Sequence, residues 1–142
     1  MISEFRFYYP IRVRYHEIDG QKIVYNATYL TYMDIALTEY FRNLGIDVWT
    51  GEDFDFALVK STIEYKKSAR LDDVLSVYVR TAKLGNKSFT VQFETVREGS
   101  DDLICTVETI YVSYRAETGE SVGIPDGVRK RIQDFEDLGA SN

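Results

Sequence analysis

At 142 residues, with 44% hydrophobic side chains, the chain is long enough for one domain with a real core and too apolar to be disordered. A net charge of −6 and an isoelectric point near 4.8 argue against nucleic acid as a main partner, because phosphate binding needs a basic face. The single cysteine, Cys105, excludes an intrachain disulfide and fits a reducing compartment.

The first residues, MISEFRFYYP, have no basic stretch leading into an apolar one, so no signal peptide is expected. No apolar run approaches the ~18–20 residues that span a bilayer. The expectation is a cytoplasmic protein with no membrane partner. Residues 7–15, FYYPIRVRY, set Ile11, Val13 and Tyr15 against Arg12 and Arg14, the alternation of a half-buried strand. Pro10 stands near its start, where a missing donor is tolerated. Asp19-Gly20 marks a turn, and the apolar run Ile23-Val24-Tyr25 follows.

Residues 27–44 read as a helix, capped by Asn26 or Thr28 and ended by Gly45. Its apolar positions cover most of the circumference, and Thr31, Asp34, Thr38 and Arg42 form one narrow polar stripe. A helix apolar almost all round is buried on most sides. In a domain of this size, a sheet curled around it is what buries it. Residues 46–56 form an aromatic and acidic loop or short helix with Trp49, Phe54 and Phe56.

Residues 57–65, 74–82, 88–97 and 103–115 alternate as four more strands. The links between these four are short, around Arg70-Leu71-Asp72-Asp73, Gly85-Asn86 and Gly99-Ser100-Asp101-Asp102, which makes successive strands antiparallel neighbours. Cys105 sits among apolar strand positions and reads as core. Pro125 opens a terminal helix over 126–137. The order is strand, long helix, strand meander, short helix. That is an α+β fold, a five-stranded antiparallel sheet wrapped around one central helix, with residues 1–142 as a single domain.

Two segments then carry a resemblance. The first is Arg12-Val-Arg-Tyr-His-Glu-Ile-Asp19, followed by Ile23-Val-Tyr25-Asn-Ala-Thr-Tyr29-Leu. The second is Ile63-Glu-Tyr65-Lys-Lys-Ser-Ala69-Arg-Leu-Asp72. Together they resemble hotdog-fold acyl-CoA thioesterases of the 4-hydroxybenzoyl-CoA thioesterase type, including bacterial short-chain members, over roughly residues 8–137. The resemblance implies a thioester hydrolase that needs no cofactor and takes an acyl-CoA substrate. Asp19 is then its nucleophile or general base. It also implies a homodimer or homotetramer with sites at the subunit interface. This chain departs from the family pattern at Gln21-Lys22, at Asn26 where many members have His, and at Ser68 where Pro is usual.

The residues support this chemistry in their own right. Asp19 falls shortly before a helix start, where unpaired N–H groups and partial positive charge collect. The N–H groups around Tyr25, Asn26, Ala27 and Thr28 are the candidates for holding a thioester oxyanion, each worth ~3 kcal/mol in the transition state. Lys60, Lys66, Lys67 and Arg70 form a basic cluster, with Lys83 and Lys87 as a second group. Either is a candidate for the phosphates of the coenzyme A that the resemblance implies, and solvated strand-edge lysines that discourage edge pairing are the plainer reading. Tyr25, Tyr29, Met33 and Trp49 are candidates for the acyl pocket, although core packing is the better reading of Tyr29 and Met33. Glu39, on the central helix, is the runner-up catalytic carboxylate, and its plainer reading is a surface pair with Arg42 or Asn43. His16 reads as a surface or interface residue and Glu17 as a solvated strand-end charge. No Cys or His spacing suits a metal. The alternative function is a non-catalytic acyl-CoA or acyl-carrier binding module in which the departures mean lost turnover. A hydratase is a weaker alternative, since only His16 could pair with Asp19.

Overall fold

The computed structural model describes residues 2–51 and 53–138. Strand β1 (Phe7–Arg12) leads through a short 3₁₀ turn (Tyr15–Glu17) and a loop into helix α1 (Thr28–Asn43). Strands β2 (Asp55–Tyr65), β3 (Val74–Leu84), β4 (Ser88–Arg97) and β5 (Leu103–Tyr114) follow, and helix α2 (Asp126–Glu136) ends the fold. The strands form one sheet in the order β1-β3-β4-β5-β2, antiparallel throughout.

That order explains the position of α1. The helix connects β1 to β2, which lie at opposite edges of the sheet. The connection must therefore cross the whole sheet face. Tyr32, Met33, Ala36, Leu37, Tyr40 and Phe41 of the helix are buried in one cluster with Leu75, Val77, Val79, Val91, Phe93 and Val107 of the strands. Register shifts at Leu58/Lys60, Thr81/Lys83 and Thr95/Val96 break the β2–β5, β3–β4 and β4–β5 ladders. Such bulges bend and twist a sheet, which helps it close over a helix. This is the hotdog arrangement that the resemblance implies. Cys105 is buried as expected, and burial pushes its thiol up to about 11.

Several boundaries differ from the sequence reading. Strand β1 ends at Arg12 rather than Tyr15, because Val13 leaves the β3 ladder to exchange hydrogen bonds with Asp72 and Asp73. Helix α1 has no side-chain cap, from Asn26 or from Thr28. Ala27 holds the cap position with helical dihedrals, and Thr28 N–H already donates to Tyr25 O in a turn that runs on into the helix. The C-terminal end is as expected, with Gly45 left-handed at φ +73°. Arg131 of α2 donates to the Leu44 and Gly45 carbonyls and so satisfies that end of α1. Strand β2 starts at Asp55 rather than Ala57, and β3 runs to Leu84 rather than Ala82. Strands β2 and β3, expected as antiparallel neighbours across Arg70-Leu71-Asp72-Asp73, do not pair: β1 takes that edge of β3, and β2 pairs with β5 instead.

Candidate active site

The Asp19 loop is built by short-range bonds. Asp19 N–H donates to Ile23 O at 2.9 Å, and Lys22 N–H returns to Asp19 O at 2.9 Å. Lys22 takes a left-handed φ of +65° to close this turn. Ile18 pairs with Val24, and Tyr25 N–H donates to Glu17 O at 3.0 Å. The loop is thus a small two-sided ribbon with Asp19 at its tip. Val24 N–H ties it to Ala69 O at 2.9 Å, which joins it to the segment between β2 and β3.

Asp19 Oδ1 accepts Gln21 N–H at 2.8 Å, and no other donor reaches this carboxylate among the described residues. The carboxylate lines a cavity of about 410 Å³ together with Asn26, Tyr29, Tyr65, Lys66 and Lys67. Tyr65 OH donates to Asn26 O at 3.1 Å. Tyr29 OH accepts Ala69 N–H at 3.3 Å, and burial pushes its phenol above the ordinary value, so it stays neutral. At the start of α1, Tyr25 N–H and Thr28 N–H are engaged within the loop, whereas Asn26 N–H and Ala27 N–H have no backbone acceptor among the described residues.

The sequence candidates separate on this frame. Asp19, Asn26, Tyr29, Lys66 and Lys67 come together at one cavity, and Lys60 and Arg70 do not line it. Tyr25 is exposed beside it, and Met33 is buried in the core as expected. Trp49 belongs to a separate cavity of about 290 Å³ near Asp34 and Thr38, with Arg42 stacked 4.3 Å from its ring. Glu39 pairs with Arg42 at 3.2 Å, the surface pair anticipated for it. His16 is exposed. Lys66 pairs with Glu64 at 2.9 Å, and Lys67 pairs with Asp102 at 3.0 Å. A larger hollow of about 450 Å³ lies around Arg80 and Gln92, but Glu64, Glu94 and Glu108 line it and oppose a phosphate ligand.

Glu17 corrects the sequence reading. It is 6% exposed rather than solvated, because four donors converge on its carboxylate. Burial pushes this carboxyl up, but hydrogen bonds from the Arg14 side chain and backbone and from Tyr32 outweigh it and hold the group below the ordinary value. Arg97 is a residue that sequence reasoning misses. It donates to Asp73, Asp102 and Ser68 O and so braces the segment that meets the Asp19 loop. Alternation alone places Arg97 at a strand end and says nothing of these partners.

Three comparisons bear on this geometry. Residues 13–132 match the family model described as thioesterase-like superfamily. The chain is 28% identical over 130 residues to a putative esterase of Aquifex aeolicus, covering 90% of this chain and 98% of that one. It is 29% identical over 118 residues to the acyl-CoA thioester hydrolase YbgC of Escherichia coli O6:H1, covering 78% and 88%. Among solved structures, a thioesterase of Thermus thermophilus complexed with coenzyme A and Zn superposes with a TM-score of 0.84 at 25% identity, covering 94% and 96%. With its fold, its matched span and its relatives in agreement, the chain belongs to the thioesterase-like superfamily and has the hotdog fold.

Proposed function

We propose that this protein hydrolyses acyl-CoA thioesters to the free acid and coenzyme A, with Asp19 as the catalytic carboxylate. The supporting observation is that Asp19, the start of α1 and two lysines share one cavity. The named activities of the relatives support the same class of substrate. The thioester carbonyl lies between Asp19 and the Asn26 and Ala27 N–H groups, which receive the negative charge as it develops. As a base, Asp19 takes a proton from water while the water oxygen bonds the carbonyl carbon. The carbon–sulfur bond then breaks, and the thiolate leaves and is protonated. As a nucleophile, an Asp19 oxygen bonds the carbonyl carbon itself, and the carbon–sulfur bond breaks as the coenzyme A thiolate leaves and is protonated. Water then cleaves the mixed anhydride to the free acid and the Asp19 carboxylate. Oxygen-18 from solvent enters the Asp19 carboxylate in a single turnover only by the second route.

Lys66 and Lys67 are the proposed contacts for the coenzyme A phosphates, since they border the same cavity. The reading includes a homo-oligomer. Strand β2 is a sheet edge with one side unpaired, and it exposes Leu58 at 53% and Val59 at 63%.

The test is free-thiol release from butyryl-, palmitoyl- and benzoyl-CoA by the wild type and Asp19→Asn. The expected result is a fall in kcat of ~10²–10⁴-fold with binding kept. Wild-type turnover in Asp19→Asn would shift the role to Glu39 or to another carboxylate. Binding without turnover in the wild type would favour the binding module.

A further inference from the structure

Glu17 is the one buried charged residue among those described, and the hydrolysis outlined above makes no use of it. Its Oε1 accepts Arg14 N–H at 2.8 Å and Tyr32 OH at 2.8 Å. Its Oε2 accepts Arg14 Nε at 3.1 Å and Arg14 Nη2 at 2.7 Å. Four donors on two oxygens occupy the carboxylate, which leaves it poorly placed to take a proton from substrate or water. Burying a carboxylate is costly without such partners, so the arrangement needs all of them.

The partners lie where they can act on Asp19. Glu17 stands at the root of the ribbon that carries Asp19, and its own carbonyl receives Tyr25 N–H across that ribbon. Tyr32 is fully buried on α1, one helical turn past Thr28. The ribbon has an attachment to Ala69 on one flank and the Glu17–Tyr32 bond on the other. The first fixes where the ribbon meets the β2–β3 segment. The second fixes its distance from the helix whose first N–H groups face the substrate.

We propose that Glu17 is a positioning residue: clamped by Arg14, its carboxylate docks the Asp19 ribbon onto Tyr32 and so sets Asp19 against the start of α1. The inference rests on the reading of Asp19 as the catalytic carboxylate. A group held about 1 Å out of line loses on the order of a hundredfold in rate, which is the size of effect available to such a clamp.

Tyr32→Phe is the cleanest test, since it removes one hydroxyl and keeps the buried ring. Measured on the fastest of butyryl-, palmitoyl- and benzoyl-CoA, it should lower kcat about 10- to 100-fold. KM should change by less than about twofold, because the substrate-binding groups are untouched. Glu17→Met should give the same loss, and the double variant should lose no more than either alone. Glu17→Gln keeps an acceptor for Tyr32 and Arg14 N–H but turns an amide N–H₂ toward the Arg14 guanidinium, so it should lose less activity than Glu17→Met. Ile132→Ala, in the α2 core, serves as a control that destabilises the fold away from the Asp19 ribbon and should keep its kcat. Wild-type kcat in Tyr32→Phe, an equal loss in Ile132→Ala, or additive losses in the double variant would overturn the positioning role. Asp19→Asn, assayed in parallel, separates the two readings. If it keeps wild-type turnover, the Asp19 reading fails and takes this inference with it. If it loses turnover while Tyr32→Phe does not, the positioning inference alone fails.

Discussion

Lys67 stands at both the surface and the edge of the candidate site. It borders the Asp19 cavity and pairs with Asp102 at 3.0 Å, and Asp102 is also held by Arg97 at 2.7 Å. Removing the lysine leaves Asp102 with its arginine, so Lys67→Ala should cost only ~0–1 kcal/mol of stability. If Lys67 meets a coenzyme A phosphate, the same variant should raise KM several-fold with kcat kept, and the rise should shrink as salt screens the charge. Steady-state kinetics at low and high ionic strength check this. Lys60→Ala is the matched control, because Lys60 does not line the cavity, and its KM should stay at the wild-type value. Cys105, in contrast, is no nucleophile here: it is buried in a strand, and its thiol is pushed up to about 11 by that burial.

At the scale of elements, α2 acts as the clasp of the far end of the fold. Arg131 satisfies the carbonyls that close α1, and Arg129 donates to Gly85 O at 2.8 Å in the β3–β4 turn. Glu136 accepts Thr81 N–H at 2.9 Å and Tyr40 OH at 2.5 Å. β1 pairs with β3 no further than Val79, so the Thr81 N–H lies beyond that ladder and Glu136 supplies its acceptor. Burial pushes the Glu136 carboxyl above its ordinary 4.5, with the Tyr40 hydrogen bond opposing it. A raised folded-state value means that the folded protein binds this proton more tightly than the unfolded chain. Its contribution is therefore full below 4.5 and is lost as the pH rises through the raised value. Glu136→Gln has no such proton. The melting temperature of the wild type relative to Glu136→Gln should thus increase as the pH is lowered from neutral toward 4.5. Taking the difference cancels Glu17, whose depressed carboxyl acts in the opposite sense in both proteins. A difference independent of pH would show that Glu136 does not titrate in this window.

For the whole molecule, strand order governs both the core and the edges. α1 fills the sheet face because it must travel from one edge strand to the other. The same order leaves β2 with a free edge, and the irregularity between Leu58 and Lys60 exposes two adjacent apolar side chains there. Pairing with a second copy would cover both the edge and these side chains. Sedimentation of the wild type at micromolar concentration should therefore give a dimer or tetramer. Val59→Lys combined with Leu58→Lys should shift it toward the monomer. A site that needs its partner chain should lose activity with the dimer, in proportion to the monomer fraction. A monomeric wild type would remove the oligomer from the proposed function.

What local physics encodes is legible in the chain alone. Period-2 runs mark the five strands, and apolar density and a terminal glycine mark α1. Short links give the β3–β4 and β4–β5 pairs, but the equally short link at Arg70–Asp73 does not pair β2 with β3, because link length does not say which edge a strand joins. The motif around Asp19 points to a carboxylate near a helix start, and the loop puts it there. Which distant groups join that carboxylate is settled by tertiary packing. Lys66 and Lys67 reach the cavity because Val24 anchors the Asp19 loop at Ala69, just past them; Lys60 lies further back along β2, and Arg70 does not line the cavity although it follows the anchor. Trp49 falls to another cavity because the loop after α1 packs near its C-terminal half. Glu17 is buried rather than solvated because Arg14 and Tyr32 converge on it from a turn and from the helix. Periodicity reports which way a side chain points from its own element. What it then meets depends on the folding of segments far away in the chain.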